Sequence, residues 1–476
     1  MPHDDSNGKA GRRAAAILPI RPLHSNPNYV SLSELTARVD SGTVDNVELV
    51  MIDMQGRLQG KRVGARHFLD AVIKSGCEAQ SYLLATDVEM NTVDGYSIAS
   101  WATGYGNLVM HPDVDTMRNI PWHPSSVLVL CDLTDRNGEA VTVSPRQMLR
   151  RQLAQLADRG WYARAGTELE FQVFTNTYED AWRNAYRALD PVSDYSADYS
   201  MLDSRGTGAL LTGLNRDLSA AGVELETIVS EAGLGQHEIV LACRDAMTTA
   251  DNHALAKFST KHVAANSGRS VTFMAKVDRH VGNACHIHFS LLDDHHNPVL
   301  PGDGPHGFSP VMQGFLAGQL AFLPDLTLML APNINSYKRF VDGSYAPTAI
   351  SWGYDNRTCA LRVVGSGASL RFEHRLAGAD VNPHLALAAI VAAGLRGIDD
   401  GLALAAPTVG NAYAAGLPRV PTNLRDAVTR FRRSGVAAEA FGTEVVSHYT
   451  RMAELEVEQF DESVTDWEKF RGFERL

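Results

Sequence analysis

Cysteine is scarce in this chain and never paired at short range. Cys77, Cys131, Cys243, Cys285 and Cys359 stand far apart, with no CxxC motif among them. That argues against a zinc knuckle or a disulfide framework and suits a reducing compartment, so we expect a cytoplasmic protein. Long apolar runs are missing too, and none approaches the roughly 20 residues that a membrane span requires. The early run Ala14–Leu18 ends at Pro19 with Arg21 close behind, too short for a signal-peptide core. Basic charge is in deficit, with a formal net charge of −12. A protein that binds nucleic acid usually carries a basic footprint, so we expect no such partner. What is there is ordinary for a globular protein: 476 residues, 45% hydrophobic and 21% charged, enough for two or three domains.

Patterning divides the chain. We expect residues 1–27 to form a flexible polar tail. From Val47 to Val63, "VELVMIDMQGRLQGKRV" reads as two strands joined at Gln55–Gly56, and "VLVLCDL" (127–133) as another, so residues 28–140 form a small β-rich domain. The character changes at "SPRQMLRRQLAQLADRG", with Ser144 at a helix cap, Pro145 at the first helical position and Gly160 at the stop. Four strand-like runs follow within the larger unit, 141–476: "GTELEFQVF", "GQHEIVLAC", "ACHIHFSLL" and "SLRFEHRL". Helical stretches such as 248–267 separate several of them, and the tail from Asn423 reads as helical.

Each of those strands carries a polar row. Alternate residues of a strand share a face, which sets Glu168, Glu170 and Gln172 against Leu169, Phe171 and Val173. The same holds for Gln236 and Glu238, with Glu231 one loop upstream, for His286, His288 and Ser290, and for Arg371, Glu373 and Arg375 in "RFEHR". One such row is an ordinary solvated strand face. If all four converge, five carboxylates meet one imidazole, and they repel unless cations neutralise them. Oxygen donors with a single imidazole favour Mg²⁺ or Mn²⁺, metals that commonly bridge phosphates, and nearby arginines suit a phosphate or a carboxylate.

The motifs "GTELEF", "EAGLGQHEI", "CHIHFSL", "PNINSYKRF", "DNRTCALRV" and "RFEHRLAGADVNPHLALAA" resemble, in order and spacing, those of the glutamine synthetase family, and the resemblance runs from about residue 30 onward. It implies an α+β fold: an N-terminal β-grasp domain, then a catalytic domain with a curved antiparallel sheet and flanking helices. It implies a homo-oligomer, a dodecamer of two hexameric rings, with each active site between subunits. It also implies a reaction in which the γ-carboxylate of glutamate takes a phosphoryl group from ATP and an amine displaces phosphate. Position by position, Glu170, Glu231 and Glu238 match the ligands of one Mg²⁺ or Mn²⁺, and Glu168, His286 and Glu373 those of a second, with two to three ions per site. Arg339 and Arg375 match the grips on glutamate and on the transferring phosphoryl group, and Gly282 a contact to the glutamate backbone. Arg357, Arg362 and Arg371 match contacts to ATP phosphates, with Ser290 added to the ATP site.

Two departures bear on the amine. Glutamine-forming members carry a glutamate in a "GYEAP" flap, whereas this chain reads "GSYAP" (343–347) with Tyr345 at that place. A phenol is neutral at pH 7 and cannot replace a carboxylate as base or cation magnet. The acidic "DGSS"-like motif of ammonia users is also missing from 76–87, where Glu78 or Asp87 offers partial compensation. A site poorer in acid suits an organic amine, which gains roughly 0.8 kcal/mol per buried CH₂. We therefore expect a glutamate–amine ligase making a γ-glutamylamide from ethanolamine or a polyamine, with Glu231 near the amine and Tyr199 lining its pocket. Tyr413, in "GNAYAAGLP", lacks the surroundings of the family's adenylylated tyrosine, so no such control is expected. An ordinary glutamine synthetase and a non-catalytic ring protein stay open as alternatives.

Overall fold

Two β-sheets organise the chain, the first built around one strand buried along its length. A computed structural model describes residues 28–202 and 206–476; the expected tail, 1–27, lies outside the described residues. In the first half the strands are β1 (Asn46–Ile52), β2 (Leu58–Gly64), β3 (Cys77–Gln80), β4 (Asn107–Pro112), β5 (Arg118–Asn119) and β6 (Ser126–Thr134). They lie in the order β2-β1-β6-β4-β3, with β5 alongside β6. Every residue of β6, "SVLVLCDLT", is buried, as a central strand requires. β1 and β6 run parallel and the other pairs antiparallel. The hairpin expected at Gln55–Gly56 forms. Oδ1 of Asp53 accepts the backbone N–H groups of Gln55 and Arg57 at 3.0 and 2.8 Å, and Gly56 takes φ +78°.

The second sheet has nine strands: β7 (Trp161–Phe174), β8 (Leu225–Ser230), β9 (Gln236–Leu241), β10 (Arg244–Asp245), β11 (Ser270–Thr272), β12 (Cys285–Asp293), β13 (Trp352–Tyr354), β14 (Leu361–Val364) and β15 (Arg371–His374). The main path is β13-β14-β15-β12-β7-β9-β8. The sheet is antiparallel except at its β13–β14 edge, which is parallel. Its apolar face carries Leu169, Phe171, Ile239, Cys285, Ile287, Phe289 and Phe372, all buried. Phe289 stacks on Phe315 of the helix Pro310–Leu330, with ring centroids 5.2 Å apart. That helix meets Pro383–Asp399 where a Cβ on Gly318 would lie 2.1 Å from the Ala393 carbonyl oxygen, so glycine sets how close the two backbones come.

Polar contacts lock the halves together. Arg146, on the helix Pro145–Ala157, is buried and pairs with Asp132 of β6 at 2.7 Å, Asp113 at 2.7 Å and Asp251 at 3.2 Å. Asn382 donates its side-chain amide to the carbonyls of Asp53 and Met54 at 3.0 and 3.1 Å, tying the β1–β2 turn to the second sheet's half. Ser144 stands at the cap position of the helix Pro145–Ala157, but its side chain makes no capping bond; its backbone carbonyl still accepts from Met148 at 2.9 Å.

Candidate active site

Register, more than proximity in sequence, assembles the polar rows. In β12 and β7 His286 lies opposite Glu168, and in β7 and β9 Glu170 lies opposite Glu238. Glu373 of β15 is flanked by His288 of β12 and Arg362 of β14. A row of acidic, imidazole and guanidinium groups therefore crosses five adjacent strands, on the face opposite the apolar core. Ligand atoms of Glu168, His286 and Glu373 lie within 4.8 Å of one another, and so do those of Glu170, Glu238 and His286. The first trio is the expected second-metal set. The other differs from expectation: His286 joins Glu170 and Glu238, while Glu231, on the loop after β8, stands outside the group.

The electrostatics of this row test whether cations fit. Burial raises the Glu238 carboxyl to about 9, helped by the charges of Glu168, Glu170, Glu231 and Glu373. Glu231 is raised to about 7 by burial and by Glu170, Asp198 and Glu168. Against burial, which opposes it, hydrogen bonds from His286 and His288 hold Glu168 below the usual carboxylate range. Their distances are 2.9 and 2.8 Å. Carboxylates crowded this way are short of positive charge, and hard divalent cations fit a set of oxygens with one imidazole.

The arginines of "RFEHR" and its neighbours divide their work. Glu373 is fully buried between Arg362, at 2.9 Å, and Arg375, which also pairs with it. Arg371 donates Nε to Nδ1 of His288 at 3.2 Å. Arg339 is buried and donates Nη2 to the carbonyls of Leu376 and of Ala377, the latter at 2.9 Å. Burial lowers its pKa to about 10. The Nε–H groups of Arg339 and Arg375 are both buried with no protein partner, an arrangement suited to an anion. Gly282 lies against Arg339, where a Cβ would come within 2.7 Å of its Cγ.

Other expected residues sit at the margins. Arg357 is largely exposed and pairs with Asp355 at 3.9 Å. Ser290 lies two residues beyond His288 on the same face of β12, opposite Arg164. Tyr199 is 77% exposed at φ +54°, and its backbone N–H reaches the carbonyl of Ser230, next to Glu231, at 2.9 Å. Tyr345 is 66% exposed in a left-handed conformation, φ +59°. Asp87 has little to offer an amine, since Asn91 and Gln459 occupy its oxygens at 2.7–3.0 Å, and Glu78 accepts from Asn107 at 2.7 Å. Two residues received no role from sequence. His288 bridges Glu168 and Arg371, and its His-x-His spacing was the signal available. Gln236 donates to Glu170, to the Gly282 carbonyl and to Asn283, each at 3.0 Å, and nothing local in the sequence announces that.

Comparison with known proteins follows the same line. Residues 142–471 match the family model described as glutamine synthetase, catalytic domain. The chain is 51% identical over 456 residues to a γ-glutamylethanolamide synthetase of Streptomyces coelicolor, covering 96% of this chain and 98% of that protein. It is 34% identical to a glutamate–isopropylamine ligase of a Pseudomonas species, covering 94% and 99%. Among solved structures, ligand-free GmaS superposes with a TM-score of 0.81 at 26% identity, over 93% of this chain and 99% of that one.

Proposed function

The chain belongs to the glutamine synthetase family, and on that premise we propose that it joins the γ-carboxylate of glutamate to a small primary amine at the expense of ATP. The product is a γ-glutamylamide, formed through γ-glutamyl phosphate, and ethanolamine is the amine we favour. The carrying observation is the combination of a complete acidic and imidazole row with a tyrosine in place of the flap acid. The similarity to a γ-glutamylethanolamide synthetase supports the same reading. We further propose a cytoplasmic dodecamer of two hexameric rings; among the described residues no helix is long and apolar enough to cross a membrane.

In this reading Glu168, His286 and Glu373 hold one divalent cation, Mg²⁺ or Mn²⁺, and Glu170 and Glu238 hold another with Glu231 drawn in, two to three ions in all. Such ions supply charge neutralisation between nucleotide phosphates and the carboxylate they approach. Arg362 and Arg371, with Arg357 and Ser290 beyond them, face the nucleotide. Arg339 and Arg375 offer their free N–H groups to glutamate and to the phosphoryl group, beside Gly282. The Ala284 N–H and Gln236 hold Glu170 in place at 2.6 and 3.0 Å. Glu231, outside both trios, attracts the ammonium form of the amine and takes its proton. Tyr345 and Tyr199 present aromatic surface and hydroxyls to the amine's carbon chain, so burial of methylene groups compensates for the missing acid.

Purified protein supplied with ATP, Mg²⁺ and glutamate, and in parallel with ammonium, ethanolamine, putrescine or spermidine, tests this. Phosphate release and product mass should show turnover with ethanolamine and little with ammonium. Efficient glutamine formation would overturn the reading of Tyr345.

A further inference from the structure

Tyr345 sits at the tip of a five-residue flap, 343–347, and a non-glycine residue at φ +59° keeps that conformation only when its surroundings enforce it. The neighbouring segment 410–420 supplies the enforcement. The hydroxyl of Tyr413 donates to the carbonyl of Ala346 at 3.1 Å and faces the backbone N–H of Tyr345. At the flap's base, Thr348 donates to Asp342 at 2.6 Å, and Arg419 pairs with the same carboxylate at 3.1 Å. The backbones are stitched as well: Ile350 N–H reaches the Pro418 carbonyl at 2.8 Å, and Val420 N–H the Thr348 carbonyl at 3.1 Å. On its other side the flap rests on the site, since Ser344 Oγ lies 3.3 Å from the carbonyl of Arg339.

Tyr413 is half-buried, and the charges of Arg375 and Arg339 reach its hydroxyl. It therefore touches the flap next to its tip and lies within electrostatic reach of the two buried arginines. A phenol in this place holds one flap geometry through its directional bond to Ala346, while the Arg419–Asp342 pair fixes the hinge.

We infer that Tyr413, with Arg419 at the hinge, is a positioning residue that sets where Tyr345 stands and thereby couples phosphoryl transfer to amine attack. The inference rests on the proposed role of Tyr345 at the amine site. A flap released from Tyr413 admits water to the activated acyl group. Water then attacks the γ-carbonyl carbon, the bond to the phosphate oxygen breaks, and glutamate and inorganic phosphate result with no amide formed.

Two readouts on the full-length Tyr413→Phe variant test it. Hydrogen exchange of peptides spanning 341–348 should be at least threefold faster than in wild type, with exchange in β7 and β12 unchanged. Phosphate released per amide formed should rise at least twofold, with the KM for ethanolamine raised and that for ATP unmoved. Unchanged exchange in the flap overturns the clamp, and faster exchange with an unaltered phosphate-to-amide ratio overturns its role in coupling. If wild type turns over no amine at all, the functional reading fails by itself, and the exchange result still decides the clamp. Arg419→Lys keeps the charge at the hinge and should restore most of the coupling that Arg419→Ala loses; equal loss in both would remove Arg419 from the assignment.

Discussion

On the proposed reading Tyr345 stands where glutamine-forming relatives place an acid, and introducing that carboxylate is the most direct residue-scale perturbation. Tyr345→Glu should raise kcat/KM for ammonium relative to ethanolamine by about tenfold or more, the equivalent of about 1.4 kcal/mol. An unmoved ratio would mean the flap does not choose the amine. Glu170→Ala should lower ATP-dependent phosphate release by more than about a hundredfold, because it removes an oxygen donor whose position Gln236 and Ala284 have fixed. Near-normal turnover would remove Glu170 from the metal set. Glu373→Ala is the severe case, since it leaves Arg375 and Arg362 facing each other without their shared partner. Loss of one member of a buried ionic set costs about 3–5 kcal/mol, so the variant should unfold at markedly lower urea concentration even without substrates.

Elements act here by register. The alternation in "GTELEF", "CHIHFSL" and "RFEHR" already assigned each polar side chain to a face, because a strand's period of two leaves no other choice. Which strands are neighbours was not legible, for pairing between β7 and β12 joins residues more than a hundred positions apart. That pairing also put His286 between both carboxylate groups, an arrangement that spacing along the chain cannot express. The loop after β15 offers an element-scale test. Arg339 holds the carbonyls of Leu376 and Ala377, and Gly282 leaves room for its stem. Gly282→Ala should displace that stem and raise the KM for glutamate about tenfold, while the KM for ATP stays near wild type. Equal effects on both substrates would show a general loss of folding instead.

At the scale of the whole molecule, burial converts histidines into a pH dependence of stability. His448, within the helix Thr443–Glu462, is fully enclosed against Met54 and Tyr96, and burial pushes its pKa down to about 3. An unfolded histidine titrates near 6.5. Between those values the unfolded chain binds more protons than the folded one. Stability is therefore greatest above about pH 6.5 and falls, by about 1.4 kcal/mol per pH unit for this group, as the pH drops toward 3. Tm measured from pH 7 to pH 4 should fall less steeply for His448→Gln than for wild type, and parallel curves would exclude His448 as a source. The sequence by itself determined the reading frame of this protein. Strand alternation set the faces, ordered motifs identified the chemistry, and composition argued against membrane helices and a basic nucleic-acid surface. Only the tertiary structure decided the Arg146 knot, the service of Gln236 to Glu170, and the hold of Tyr413 on the flap. Those contacts join residues remote in sequence whose local patterns are unexceptional, and their meaning arises only when packing brings a donor and an acceptor together out of water.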